Sequence, residues 1–316
     1  MVRGFLHGLA ALLVPALALS ACSEAPMPAV PTAVGTPSGV EDLACPRETV
    51  VAPRIRLGLP RQSVGRGDAC NLLTEALSRR TGLPVDTVLV DRYEDLPDGL
   101  AKGFLEAAII PPLEYVRAHD RDPCLRSRLT MVFDGAVRYS AFIVARQDSG
   151  LTDLRQLAGR SVAFVDQNSA SGWLFPVARL AQMGINPFLD LSETQFLGSH
   201  RRVIEAVLDG RVDAGATYLG GIQAARAEGL DVSSLTLLGI TGRIPYDAFV
   251  VRPDLDPSQA RQLVEALQSI RSNTPEGRAA LAAFPSGNGF TATSDSFYEP
   301  VREVLKLVRR LGGEVP

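Results

Sequence analysis

The stretch "SVAFVDQNSASGWLFPVARLAQMG", residues 161–184, has the order strand, polar turn, helix. Residues 161–165 are apolar or β-branched, as in a buried strand, and from about Gly172 the apolar residues recur at helical spacing. Between them lies "DQNSAS", residues 166–171, in which every side chain is small or polar. A helix N-terminus has unpaired N–H groups and a partial positive charge, so it favours anions. The stretch indicates an α/β unit whose polar turn is either an oxyanion site or a simple N-cap.

The same alternation extends along most of the chain. Strands are predicted at 54–59, 84–90, 105–110, 161–165, 193–197, 213–217 and 235–240, with helices between most of them. Two further runs, 140–146 and 248–253, are predicted to be strands that cross between two lobes of the protein. This order predicts an α/β protein with mostly parallel sheets. One lobe would comprise 52–142 plus 249–316 and the other 143–248, with a ligand cleft outside the carboxyl ends of the strands.

The first 51 residues are predicted to lie outside both lobes. Residues 1–22 resemble a lipoprotein signal peptide, because a short apolar run ends in "LSAC". This pattern resembles a bacterial lipobox and predicts lipidation of Cys22. An uncleaved anchor and a plain secretory peptide are the alternatives. Residues 23–51, which begin with a run of Pro, Gly and small residues, are predicted to be a disordered tether on the extracytoplasmic side of a membrane.

Composition narrows the function further. The chain has 316 residues and a formal net charge of −3, so a large basic surface for nucleic-acid binding is not expected. The spacings of cysteine and histidine match no metal site, and no cofactor is expected. If Cys22 is lipidated, Cys45, Cys70 and Cys124 remain, of which one pair can close in an oxidising compartment. Cys45 precedes the predicted strand at 54–59, and Cys124 precedes a further predicted strand that begins near Arg128, so they would meet at one edge of a parallel sheet. We therefore favour Cys45–Cys124, with Cys70 a buried thiol.

Three motifs carry the predicted binding chemistry. In the first, Ser169 and Ser171 offer hydroxyl donors, and Asn168 is a candidate N-cap. In the second, "GSH" at 198–200 again joins a strand to a helix, and a neutral His200 can donate one hydrogen bond. In the third, Asp247 precedes a crossing strand. An ionised carboxylate only accepts, so it would select an oxyanion that carries a proton and repel one that does not, such as sulfate.

Together these motifs resemble those of the phosphate-, phosphite- and phosphonate-binding proteins of ABC importers. The resemblance runs from about Arg54 to the last helix and is clearest in the middle lobe. It implies the two-lobed type II periplasmic binding protein fold, with two hinge strands and the ligand in the cleft. It also implies ligand contacts by position, from Asn168, Ser169, Ala170, Ser171, His200, Asp247 and Tyr93.

The chain departs from the family pattern at Ala170 and at one further position. Ala170 stands where the family has a Thr, so one hydroxyl donor is missing. Arg138 stands where the family has a second aromatic residue, and Tyr139 follows it. Because side chains alternate between the faces of a strand, only one of these two can face the cleft. Arg138 and Tyr139 are therefore alternative ligand contacts.

The predicted function is that of a lipid-anchored, extracytoplasmic solute-binding protein rather than an enzyme. It would capture phosphonate, phosphite or phosphate by hinge closure and deliver it, as a monomer, to an ABC permease and its ATPase. One alternative keeps the fold and binds another organic or sulfur oxyanion, and another serves a membrane sensor kinase. A Ser-His-Asp hydrolase, built from Ser169 or Ser171 with His200 and Asp247, is disfavoured because the chain lacks a G-x-S-x-G elbow.

Overall fold

The computed structural model describes residues 45, 47–64, 68–284 and 286–312. The predicted signal peptide at 1–22, the lipidation site Cys22 and most of the predicted tether lie outside the described residues. Within the described ranges, no helix has both the length and the apolar character needed to cross a membrane.

Strands and helices alternate along the described chain, as the sequence pattern predicts. The strands are β1 Ile55–Pro60, β2 Val85–Val90, β3 Ala107–Ile110, β4 Ser127–Phe133, β5 Arg138–Arg146, β6 Ser161–Phe164, β7 Glu193–Phe196, β8 Ala214–Tyr218, β9 Leu235–Pro245, β10 Ala248–Val251 and β11 Gly287–Ala292. The α-helices are α1 Ala69–Thr81, α2 Asp95–Ala101, α3 Pro112–Arg121, α4 Phe175–Gln182, α5 His200–Leu208, α6 Leu219–Ala227, α7 Pro257–Ser269, α8 Pro275–Leu281 and α9 Glu299–Arg310.

The strands form two sheets, with the orders β11-β4-β10-β3-β1-β2 and β7-β6-β8-β5-β9. The α/β class is confirmed, but the prediction of mostly parallel sheets is wrong, because both sheets are mixed. β1 pairs in parallel with β2 and β3, and β6 with β7 and β8, whereas every pair that includes β5 or β10 is antiparallel. β4 and β9, from which the chain leaves each sheet, end at the same edge as the parallel strands of that sheet. The next strands, β5 and β10, therefore enter the other sheet at its corresponding edge and run antiparallel to its parallel strands.

The change of sheet takes place in short segments. The chain passes from β4 to β5 through residues 134–137 and from β9 back to β10 through residues 246–247. The predicted crossing strands are therefore displaced, because β5 lies wholly in the second sheet and β10 wholly in the first. We call the parts built on these sheets the first and second lobes. The exact lobe boundaries stay a prediction.

The last helix packs on elements of both lobes. Val301, Leu305 and Val308 on one face of α9 are buried. Around it lie α3 of the first lobe and α4 and β9 of the second. α9 thus belongs to the interface between the lobes as well as to the C-terminal part of the first lobe.

A disulfide joins Cys45 to Cys124, the pair that the sequence favoured, and their Cα atoms are 5.9 Å apart. β4 runs in the same direction as β1, because both β3 and β4 pair antiparallel with β10. Both cysteines therefore lie near the edge where these strands begin. Cys70 in α1 is buried and free.

Candidate functional site

The polar turn after β6, residues 166–171, is called the serine loop below. It leads into a π-helical turn, Ala170–Leu174, so the helix begins two residues before the predicted start at Gly172. Pro176 has no N–H, and its ring would clash with the carbonyl of Gly172 if the chain formed a regular α-helix here. The Gly172 carbonyl instead accepts a hydrogen bond from Val165 N, at 3.1 Å. This hydrogen bond fastens the helix start to the end of the strand.

The close contact between helix and strand requires a glycine. A Cβ atom on Gly172 would lie 2.4 Å from Cβ of Val165. The Ser169 hydroxyl accepts a hydrogen bond from Gly172 N at 2.9 Å, so Ser169 caps this turn. The cap predicted at Asn168 is thus wrong by one residue. Ser169, Ala170 and Ser171 are all buried beside the end of β6.

His200 reaches the serine loop from the neighbouring strand–turn–helix unit. It is the first residue of α5, and Ser199 caps that helix by accepting from Arg202 N. The His200 Nε2 atom lies 3.4 Å from the Ser171 hydroxyl. Burial lowers the pKa of His200 to about 4. The imidazole is therefore neutral at pH 7 and has one N–H to donate.

Aromatic rings form one wall beside Ser171 and His200. The Tyr218 ring packs edge-on against His200, with centroids 4.7 Å apart, and against Tyr139, at 5.4 Å. Tyr139 also stacks on Tyr246 at 4.7 Å. Because β5 begins where β8 ends, these rings meet at one edge of the second sheet. Sequence reasoning missed Tyr218, although its place at the carboxyl end of a strand is a signal for a ligand contact.

The structure distinguishes between Arg138 and Tyr139, the two alternative ligand contacts at the start of β5. The Tyr139 hydroxyl interacts with the Ser171 side chain, and burial raises the pKa of Tyr139 well above its ordinary value. Tyr139 therefore remains a protonated donor. The Arg138 guanidinium instead lies over the Phe297 ring, 4.5 Å from its centroid. Tyr139, rather than Arg138, lies against the serine loop.

Asp247 and Tyr93 bring the first lobe into the site. Asp247 lies in the short segment between β9 and β10, and Tyr93 follows β2. Burial raises the pKa of Asp247 to about 7. Burial raises the pKa of Tyr93 most, and the negative charge of Asp247 raises it further. Asp247 is thus an acceptor that changes its charge near neutral pH.

Two polar groups of Asn168 are hydrogen-bonded within the protein. Its carboxamide oxygen accepts a hydrogen bond from an Arg117 Nη atom. Its backbone N–H donates to the Asp166 carboxylate at 2.7 Å. The side-chain amide group of Asn168 is what remains to donate to a ligand.

These groups suit a small oxyanion that carries one proton. Hydroxyl or imidazole donors come from Ser171, His200, Tyr139 and Tyr93, and Asp247 supplies the acceptor. In the part of the chain that the structure describes, no group of three His, Cys, Asp or Glu side chains could hold a metal ion. The His200 Nδ1 atom is buried without a hydrogen-bond partner among the described residues. No carboxylate there orients the imidazole, as a Ser-His-Asp triad requires.

Comparison with known proteins identifies the family and the fold. The sequence pattern of the periplasmic substrate-binding proteins of phosphonate ABC transporters matches residues 59–298. Over 212 residues, the chain is 29% identical to the phosphate-import protein PhnD of Mycolicibacterium smegmatis. That match covers 64% of this chain and 62% of the relative, which is less than two thirds of its length.

Two solved structures show the same fold. One is a binding protein of an ABC phosphonate transporter from Pseudomonas aeruginosa, with a TM-score of 0.71 at 21% identity, covering 82% of this chain and 88% of that one. The other is PhnD1 from Prochlorococcus marinus in complex with methylphosphonate, with a TM-score of 0.67 at 20% identity, covering 81% and 98%. They confirm the predicted type II periplasmic binding protein fold.

Proposed function

The chain belongs to the family of periplasmic substrate-binding proteins of phosphonate ABC transporters, and from this premise we propose that it captures a phosphonate, phosphite or phosphate oxyanion for import. The observation that supports this proposal is that neutral His200 lies beside Ser171, while the charge of Asp247 acts on the tyrosines packed next to them. His200 and Ser171 donate hydrogen bonds to P–O oxygens, and Asp247 accepts from P–OH. The family is one of transport proteins, in agreement with the prediction that the chain is not an enzyme.

Proton counting explains how the site would choose its ligand. A phosphonyl or phosphoryl group carrying one proton can share it with an ionised Asp247. Sulfate and sulfonates carry no such proton near neutral pH, so their oxygens would face the carboxylate without a hydrogen between them. An unpaired charge of this kind disfavours the wrong ligand. We therefore infer that the complex holds one proton between Asp247 and the ligand.

Binding would be coupled to closure of the lobes. Tyr93 comes from the first lobe, whereas Ser171 and His200 come from the second. A ligand contacts all three only when the cleft is closed. It therefore binds the closed form more tightly and shifts the hinge equilibrium toward it. No covalent step is needed.

The wider context of the protein belongs to the same proposal. The closed receptor would deliver its ligand to an ABC permease and its ATPase, as a monomer. Lipidation of Cys22 would anchor it to the membrane, with the part of 23–51 that precedes the Cys45–Cys124 disulfide as the tether. There are three alternatives: the ligand is an oxyanion with a different organic group, the ligand is a sulfur oxyanion, or the protein acts as the input to a sensor kinase. Ligand identity decides the first two, and a requirement for the permease decides the third.

Calorimetry on the purified protein tests the proposed ligand class. The panel would contain phosphate, phosphite, methylphosphonate, aminoethylphosphonate, organic phosphates, sulfate and an alkanesulfonate. We expect micromolar or tighter binding of at least one phosphorus oxyanion at pH 7.5 and weaker binding of sulfate, which weakens further as the pH rises. The Asp247→Asn variant should bind sulfate measurably, because an amide can donate where the carboxylate cannot. Binding of only sulfur oxyanions, or of none of the panel, would refute the proposal.

A further inference from the structure

Arg117 makes a contact between the lobes that the ligand site does not require. It lies in the middle of α3, which follows β3 of the first sheet, and its side chain is only 10% exposed. Its guanidinium donates to the carboxamide oxygen of Asn168 and approaches the Gln167 carbonyl at 3.5 Å. Both acceptors belong to the serine loop, which follows β6 of the second sheet. A cation of one lobe therefore holds the anion-binding loop of the other.

The first lobe keeps this guanidinium in place by itself. A Glu114 carboxylate oxygen, one turn earlier in α3, lies 3.5 Å from Arg117, and its side chain is only 4% exposed. Burial lowers the pKa of Arg117, and the neighbouring Glu114 charge opposes that shift. Arg121 also contacts Glu114, at 3.3 Å, but its side chain is 63% exposed. The Glu114–Arg117 pair moves as one unit with α3, so opening the cleft breaks only the contact with the serine loop.

We propose that Arg117 is a positioning residue, which latches the serine loop to the first lobe in the closed state and so slows ligand release. This inference rests on the proposed function, because it concerns the same cleft. Arg117 acts through Asn168, three residues before Ser171, and needs no contact with the ligand. A hydrogen bond from a charged donor is stronger than one between neutral groups. It is made only when the lobes meet, so it stabilises the closed form selectively.

The expected effect follows from linkage between closure and binding. The apparent dissociation constant equals the intrinsic one divided by the fraction of competent, closed protein. Loss of the latch should therefore weaken binding by roughly tenfold, the change that corresponds to 1.4 kcal/mol. Because the latch forms after the ligand has entered, the change should appear in the dissociation rate. The association rate should stay within about twofold of the wild type.

Stopped-flow fluorescence of the full chain can measure both rates. Trp173, the one tryptophan in the sequence, lies in the π-helical turn beside the serine loop and is buried, so it reports on this loop directly. The probes would be phosphate and methylphosphonate, whichever binds the wild type. Arg117→Gln should raise the dissociation rate about tenfold. The matched control is Arg121→Gln, which also loses a contact with Glu114 but none with the loop, and its rates should equal those of the wild type.

A double-mutant cycle with Asn168→Ala separates the latch from a general structural effect. Asn168→Ala should accelerate release, and adding Arg117→Gln to it should accelerate release no further. If Arg117→Gln fails to fold because Glu114 loses its partner, the Glu114→Gln/Arg117→Gln double variant decides instead, compared with Glu114→Gln alone, since it leaves no buried carboxylate unpaired and keeps the Asn168 amide. Unchanged dissociation rates in both variants, or independent additive effects, would overturn the latch. A wild type that binds neither probe would refute the ligand assignment instead, and the latch that rests on it.

Discussion

Ser169 and Ser171 are two positions apart, yet their hydroxyl groups face different partners. The Ser169 hydroxyl already accepts a hydrogen bond from Gly172 N inside the protein. The Ser171 hydroxyl faces His200 Nε2 in the cleft. The Ser169 hydroxyl therefore caps the turn and retains its O–H to donate, whereas the Ser171 hydroxyl lies among the side chains of the cleft.

Single alanine variants should separate these two serines. Ser169→Ala should lower the free energy of unfolding by about 1 kcal/mol, as the loss of a helix cap does. Ser171→Ala should leave unfolding nearly unchanged but weaken oxyanion binding by roughly 1.5–3 kcal/mol, as the loss of a hydrogen bond to a charged group does. Thermal denaturation without ligand and calorimetry with ligand measure the two effects. Equal losses of stability in both variants would show that Ser171 is also structural.

Asp247 should make sulfate binding depend on pH. Sulfate brings no proton, so it binds best when Asp247 has taken one up. Because the pKa of Asp247 is about 7, sulfate affinity should rise roughly tenfold for each pH unit by which the solution falls from 9 toward 7. It should level off below pH 7, and in Asp247→Asn it should not vary over this range. Calorimetry at several pH values tests this, and a wild-type sulfate affinity independent of pH would remove Asp247 from the site.

The same carboxyl group should influence the stability of the ligand-free protein. Its pKa rises from an ordinary 3.8 to about 7 on folding, so the folded state binds the proton more tightly. This contribution is fully present below the unfolded pKa and is lost as the pH rises through 7. Asp247→Asn should therefore raise the melting temperature relative to the wild type at pH 8, with a much smaller difference at pH 4. An equal difference at both pH values would show that burial of Asp247 is not its cause.

At the scale of elements, the π-helical turn at Ala170–Leu174 depends on a close approach that only glycine permits. In Gly172→Ala the new methyl group would meet the Val165 side chain and the Ser169 hydroxyl. Such overpacking costs typically 1–3 kcal/mol, and moving the serine loop to relieve it should also weaken ligand binding. Gly242→Ala is the matched control, since its added Cβ would find no atom closer than 4.0 Å. Melting temperatures and dissociation constants of the two variants test this, and equal behaviour would exclude a special role for Gly172.

The same turn shows how far sequence reasoning reaches. The strand, the polar loop and the helix of residues 161–184 are local patterns, so hydrophobic periodicity could predict them. The π-helical turn depends on Gly172 meeting Val165 at close range, which no local period reveals. The antiparallel entry of β5 and β10 depends on how the two sheets face each other, so the crossing strands were displaced in the prediction. Tyr218 was missed for a similar reason, because its contacts with His200 and Tyr139 come from other elements.

At the scale of the whole molecule, the binding site and the disulfide lie at opposite edges of the first sheet. Tyr93 and Asp247 lie where β1, β2 and β3 end, whereas Cys45 and Cys124 precede β1 and β4 at the edge where those strands begin. The disulfide fixes the start of the described chain to the first lobe. It lies far along the strands from the residues that would contact a ligand.

This separation predicts that the disulfide affects stability without affecting recognition. The bond closes a loop of 79 residues between its cysteines, and removing such a cross-link costs about 4 kcal/mol in the chain-entropy description. Replacing both Cys45 and Cys124 by Ser should therefore lower the melting temperature by roughly 10 °C and leave the oxyanion dissociation constant within about twofold. Cys70→Ala, which removes a buried thiol outside any cross-link, serves as the control and should cost less. A parallel loss of affinity in the double variant would mean that the start of the chain is coupled to the closure of the cleft.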